Sequence, residues 1–93
     1  MNKIDIVNAL AEKASLNQKI ARIVVDTILD SIKGAIVEGE RVEIRGFGSF
    51  SLRDYKAYKG RNPKNGEVVL VPPKKLPYFK VGKELKEAIW NKG

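Results

Sequence analysis

The chain has no cysteine and no histidine among its 93 residues. Disulfide staples are thereby excluded, as are nearly all zinc and haem sites and every nucleophile–base arrangement built on either residue. A membrane-length apolar run is also missing, and the first residues, MNKIDIVNAL, lack the basic region, apolar stretch and small-residue cleavage site of a secretory leader. The expectation is a cytoplasmic protein without a membrane partner. No phosphate-cradling glycine motif of standard form occurs, and acid pairs such as Glu84 and Glu87 read as the solvated face of a basic helix. The sequence therefore predicts no enzyme, no metal, no cofactor and no small-molecule substrate. A domain this small buries a modest share of its surface unless something supports it. With disulfides and metals excluded, association with a second chain remains.

What the chain has is positive charge, unevenly placed. Residues 1–44 carry six Lys/Arg against seven Asp/Glu and residues 45–93 carry twelve against four, for a net charge of +7. A field of that sign in one half draws polyanions, and nucleic acid is the commonest in cytosol.

Apolar residues recur at helical spacing in the first half. Ile4, Val7, Leu10, Ala11 and Ala14 share one face behind Asn2 as cap. A longer pattern runs from the cap Asn17 to Glu38 and stops at Gly39. Its apolar residues, Ile20, Ala21, Val24, Val25, Ile28, Leu29, Ile32, Ala35 and Ile36, cover about half the circumference, wider than the ~100° stripe that one core needs. The simplest second neighbour is the same helix of another subunit, in a two-fold homodimer.

After Gly39 the period becomes two. Val42 and Ile44 alternate with charges, GFG at 46–48 permits a reversal, and Phe50 and Leu52 resume the alternation. Residues 53–75, RDYKAYKGRNPKNGEVVLVPPKK, then lose any core-forming face while keeping β-formers on each side of a turn cluster. They predict a two-stranded ribbon projecting on the order of 30 Å at ~3.3 Å per residue. Pro72 and Pro73 are tolerable there if the outer edges face solvent. Leu76–Val81 would rejoin the sheet with Phe79 and Val81 facing in, and Gly82 opens a last helix with Leu85 and Ile89 inward. An isolated hairpin is marginal in water, so the ribbon waits for a partner. Arg53, Lys56, Lys59, Arg61, Lys64, Lys74 and Lys75 stud it, and such a basic ribbon can follow a groove of duplex DNA. Pro63 sits at the tip. A turn is the ordinary place for proline; here a stiff apolar residue without an amide hydrogen also suits a wedge between stacked base pairs.

Three motifs in this order and spacing, EIRGFGSF (43–50), GRNPKNGE (60–67) and YFKVGKELK (78–86), make the whole chain resemble the bacterial histone-like DNA-bending family of HU and integration host factor. The wedge mechanism is that family's own. The resemblance implies an α+β fold forming an intertwined dimer with a helical base, a small antiparallel β-sheet saddle and two long β-ribbon arms in the minor groove of double-stranded DNA. It implies one domain over 1–93, in which residues 1–39 form the helical dimerisation segment, 40–52 and 76–81 the sheet, 53–75 the β-arm and 82–93 the C-terminal helix. By position Pro63 is the intercalating residue, and Arg61 and Asn62 are its groove-contacting neighbours. Lys80, Lys83 and Lys86 meet the DNA flanks, and Phe47, Phe50 and Phe79 form the aromatic core. The implied role is bending duplex DNA, compacting the nucleoid and assisting DNA transactions. Asn65 stands where threonine is commoner in the family, and Tyr55 and Tyr58 read as packing within the arm, with stacking on sugar or base as the alternative. EIRGFGSFSL is closer to the beta-type subunit of integration host factor than to a typical HU, which leaves open a heterodimer with a paralogue. In that subunit the counterpart of Arg45, with Glu43 nearby, helps read sequence; phosphate binding alone is the other reading. Rival functions are a helix-turn-helix in LAEKASLNQKIARIVV, which offers only Gln18, Lys19 and Arg22 to bases from a net-negative half, and a module binding an acidic protein.

Overall fold

The computed structural model describes residues 1–92, which form three helices and five strands. Helix α1, Lys3–Ala14, starts where the Asn2 side chain accepts from the Asp5 amide at 3.2 Å and the Asp5 carboxylate accepts from the Asn2 amide at 2.9 Å. This reciprocal box satisfies two donors that a helix start leaves free. Helix α2, Gln18–Val37, begins with the Ile20 amide donating to the Asn17 side chain at 2.8 Å, and Gly39 follows its end at φ 79°. The caps read from the sequence are the caps used.

The chain divides into two compact units, Met1–Ala35 and Ile36–Gly93. In the first, Val7, Ala21 and Val25 are buried, with Leu10, Ala11 and Leu16 against them. Lys3 Nζ lies 2.8 Å from Asp26 Oδ1, and the Gln18 side-chain amide donates to that of Asn8. This core takes up only a fraction of the apolar face of α2. Ile28 remains 53% exposed and Leu29 44%.

In the second unit, β1 (Val42–Ile44), β2 (Gly48–Tyr55) and β5 (Lys74–Val81) form an antiparallel sheet in the order β1-β2-β5. The register pairs Val42 with Phe50 and Phe50 with Phe79. Between β1 and β2 the Phe47 amide donates to the Ile44 carbonyl at 3.0 Å, and Gly46 takes φ 81°, a value that side-chain-bearing residues avoid. The rings of Phe47 and Phe50 lie 5.4 and 4.9 Å from that of Phe79, tilted against it as aromatic pairs prefer. Gly48 is required by this approach: a Cβ there would stand 2.5 Å from the Lys80 carbonyl and 2.6 Å from the Phe79 ring. Helix α3, Lys83–Lys92, follows Gly82, whose amide donates to the Phe47 carbonyl at 2.9 Å. Leu85 is half-buried as expected, but Ile89 is exposed. Within one chain Phe79, Val81, Leu85, Ile89 and Trp90 line an open hollow of ≈ 1200 Å³ instead of closing a core.

The expected single ribbon over 53–75 is two ladders. The first belongs to the body sheet, which extends along β2 and β5 to the pair Tyr55–Lys74, beyond the expected limits of Leu52 and Leu76. The second, β3 (Tyr58–Arg61) with β4 (Val68–Val71), is a separate two-stranded sheet. Lys56, Ala57, Pro72 and Pro73 lie between them outside either strand. Two adjacent prolines withdraw two backbone donors, so pairing stops there even though the strands on each side favour it.

Candidate nucleic-acid interface

Side chains alternate between the faces of a strand, so the register decides which basic residues meet. On the face opposite the phenylalanines, β2 places Ser49, Ser51, Arg53 and Tyr55, and β5 places Lys74, Leu76, Tyr78 and Lys80. Arg53, Lys74 and Lys80 are thereby gathered on one surface. The Arg53 guanidinium lies 3.5 Å over the centre of the Tyr78 ring, and Lys74 Nζ lies 5.8 Å from that of Tyr55. Tyr55 itself remains 40% exposed. Lys75 has the other parity: it stands opposite Asp54 on the face of Phe50 and Phe79, so the register separates it from Lys74.

At the β1 end of the sheet, Arg41, Glu43, Arg45, Ser49, Lys80 and Lys83 line a hollow of ≈ 650 Å³. Arg41 donates to the nearly buried Ser49 hydroxyl at 3.5 Å and lies 3.9 Å from the Glu43 carboxylate. Both contacts are long, so the guanidinium is steered more than held. Sequence reasoning named Arg45, Lys80 and Lys83 here and missed Arg41, Ser49 and Tyr78. The signal for Arg41 was its period-two spacing with Glu43 and Arg45, Arg41 standing one residue before β1 and Arg45 one after it; the division of charge at residue 44 placed it in the acidic half. Lys86 lies apart from this hollow and lines the apolar one beside α3.

In the outer ladder, Lys59 pairs with Leu70 and Arg61 with Val68, so these four share a face, while Tyr58, Gly60, Val69 and Val71 share the other. Leu70 is 72% exposed and Val68 62%. Lys56 is exposed beside the proline break, and Lys64 is exposed at the tip next to Pro63. Ion pairs among the described residues are Lys3–Asp26 and Arg41–Glu43, which leaves the cations of the arm uncompensated. Cations spaced along a ribbon with exposed aliphatic carbon between them suit a ligand with a charged backbone and apolar sugar surface.

A family model described as bacterial DNA-binding protein matches residues 1–90. The chain belongs to this family. It is 51% identical over 89 residues to DNA-binding protein HU-1 of Halalkalibacterium halodurans, a match covering 96% of this chain and 99% of that one. Among solved structures it resembles the protein of an Anabaena HU–DNA cocrystal structure with a TM-score of 0.84 at 43% identity, covering 96% of this chain and 97% of that. HU from Thermotoga maritima gives a TM-score of 0.68 at 34% identity over 96% and 98% of the two chains. The three-helix, antiparallel-sheet fold is therefore the HU fold.

Proposed function

We propose that this chain is an architectural DNA-binding protein of the bacterial nucleoid, acting as a dimer that wraps duplex DNA between its arms and bends it. Basic residues of the sheet and arm neutralise phosphates. Arg53, Lys74 and Lys80 supply this charge near the body, and Lys56, Lys59, Arg61 and Lys64 supply it outward. Lys83, at the polar hollow, and Lys86 meet the flanks as the duplex bends down. Lys75, on the opposite face, contributes to the field more than to contact. The second copy covers the exposed apolar face of α2.

The observation that carries this reading is the tip. Pro63 is exposed at the end of a ladder whose Lys59 and Arg61 share one face. Entering the minor groove and unstacking one step costs a few kcal/mol, offset by the contacts that a bent duplex brings to the body. Pro63→Ala should leave the dimer intact and reduce the bend, measured by energy transfer between dyes at the duplex ends. The deficit should shrink on nicked or gapped duplexes, which kink more easily. Equal bending of intact duplex by parent and variant would falsify the wedge.

A second reading concerns selectivity. Arg41, Glu43 and Arg45 around one hollow, on a segment that resembles the beta subunit of integration host factor, support base reading by Arg45 and a heterodimer with a paralogue. The relatives named HU, matched over nearly the whole chain, support DNA binding without deciding between these alternatives.

A further inference from the structure

The loop that carries Pro63 accounts for its own hydrogen bonds in an informative way. The Asn62 amide donates to the Glu67 carbonyl at 2.8 Å, and the Asn62 carbonyl accepts from the Gly66 amide at 2.8 Å. The Asn62 side-chain oxygen accepts from the Lys64 amide at 2.9 Å, so the residue before the proline is bonded to the residue after it. On the return limb the Asn65 side-chain oxygen accepts from the Glu67 amide at 2.9 Å, and Gly66 closes the loop at φ 72°. Pro63 has no amide to satisfy and a fixed φ. Each of these four hydrogen bonds involves one of two asparagines.

We infer that Asn62 is a positioning residue for the Pro63 wedge, its side-chain oxygen bridging the proline, with Asn65 as a second brace on the return limb. This rests on the reading of Pro63 as a wedge. Asn62 is half-buried and its backbone donor, backbone acceptor and side-chain acceptor are all engaged, so its main work is done before DNA arrives. The physical gain is preorganisation. A six-residue tip ordered only on binding would lose its conformational freedom at that moment, whereas a tip fixed in advance has already lost it in the free protein. A side chain that accepts a hydrogen bond from two residues onward is the means available to Asn and Asp, less to Ser and not to Ala. Asn does so without placing a negative charge beside phosphates. Asn65 braces the limb next to Gly66 in the same manner.

The test uses the full-length dimer and three variants: Asn62→Ala, Asn62→Asp and Pro63→Ala. Without DNA, Asn62→Ala should speed amide exchange at Lys64 by up to about tenfold, the equivalent of one net hydrogen bond, and Asn62→Asp should restore the parent rate. With intact duplex at saturating protein, where differences in affinity drop out, Asn62→Ala should lose some of the bend that Pro63→Ala loses, and Asn62→Asp should recover it. If Asn62 instead donates its amide to the groove, Asn62→Asp will bend no better than Asn62→Ala, and the inference is overturned. If Asn62→Ala bends as the parent does while Pro63→Ala does not, Asn62 is no brace and the wedge stands. Unaltered bending with Pro63→Ala removes both.

Discussion

The helical unit and the outer arm leave large apolar side chains in solvent for opposite reasons. In α1 and α2 the exposed residues border a real core: Val7, Ala21 and Val25 are buried, and Ile28 and Leu29 continue the same face outward without a charge among them. In β3 and β4 no residue is buried, and Val68 and Leu70 share their face with Lys59 and Arg61. The first surface excludes water and asks for another apolar surface of its own kind. The second is amphipathic at the spacing of single residues, which no protein core tolerates and a nucleic-acid groove does. Order follows the same division. Packing holds the helices, while the outer ladder rests on four backbone pairings and a hydrogen-bonded tip, an arrangement marginal in isolation.

The strongest way to break this comparison is to place the same charge in both surfaces. Ile28→Lys puts an ammonium into the proposed dimer interface, where an unpaired charge cannot be satisfied. The folded dimer should be lost at micromolar concentration, seen as a fall in helical circular dichroism and in sedimenting mass. Leu70→Lys should leave both unchanged and strengthen DNA binding at low salt. A folded monomer from Ile28→Lys would sink the dimer argument, and unfolding by Leu70→Lys would give the arm a core role that its exposure denies.

Such a contrast was legible in the sequence wherever one local rule acted alone. Asn2, Asn17 and Gly39 marked helix ends because the free backbone groups there need specific chemistry, and the period-two run from Val42 fixed the parity that gathers Phe50 with Phe79. Pairing was harder to read. The sequence predicts strands on both sides of Pro72 and Pro73 and gives no direct measure of whether a ladder survives two missing donors; it does not. Lys74 and Lys75 look equivalent in a basic run, and only the register with Tyr55 and Asp54 separates them. Ile89 reads as inward because its helical period is right, yet it stays exposed beside an open hollow that the chain does not fill.

Selectivity provides a smaller effect confined to the body. If Arg45 reads bases, Arg45→Ala should flatten discrimination between sites by about 1–3 kcal/mol while lowering mean affinity less. Glu43→Gln, which frees Arg41 from its carboxylate neighbour 3.9 Å away, should raise affinity for all duplexes alike. Titration of a panel of duplexes decides it, and equal weakening of every duplex by Arg45→Ala assigns that residue to phosphate.

The body and the arm should also differ in how each cation acts. Lys83 lines the polar hollow with Arg45 and Lys80, so Lys83→Ala should reduce the slope of log K against log salt by about 0.9, the value for one phosphate contact on duplex DNA. Lys75→Ala, on the opposite face from Lys74, should change the slope by much less than Lys74→Ala. Equal slopes for the two lysine variants would mean that the arm twists far enough on DNA to erase the parity seen in the free protein.

The smallest expected effect sits at the root of the arm. Arg53 lies 3.5 Å over the Tyr78 ring, one of few places on the ribbon where side-chain contact adds to the backbone ladder. Tyr78 is half-buried, and a cation over an aromatic face that keeps some solvent contact is worth about 0.5–1 kcal/mol, so Tyr78→Leu, which keeps apolar bulk and removes the π face, should weaken DNA binding by about two- to fivefold. The salt slope should not move, because the guanidinium is still present to meet its phosphate. Arg53→Ala should weaken binding further and lower the slope by about 0.9. Amide exchange near the pair Tyr55–Lys74 should rise slightly in Tyr78→Leu, with the dimer unaffected. Unchanged affinity in Tyr78→Leu would show that the ring orders nothing that DNA uses, and the arm would then depend on its backbone pairing alone down to the saddle.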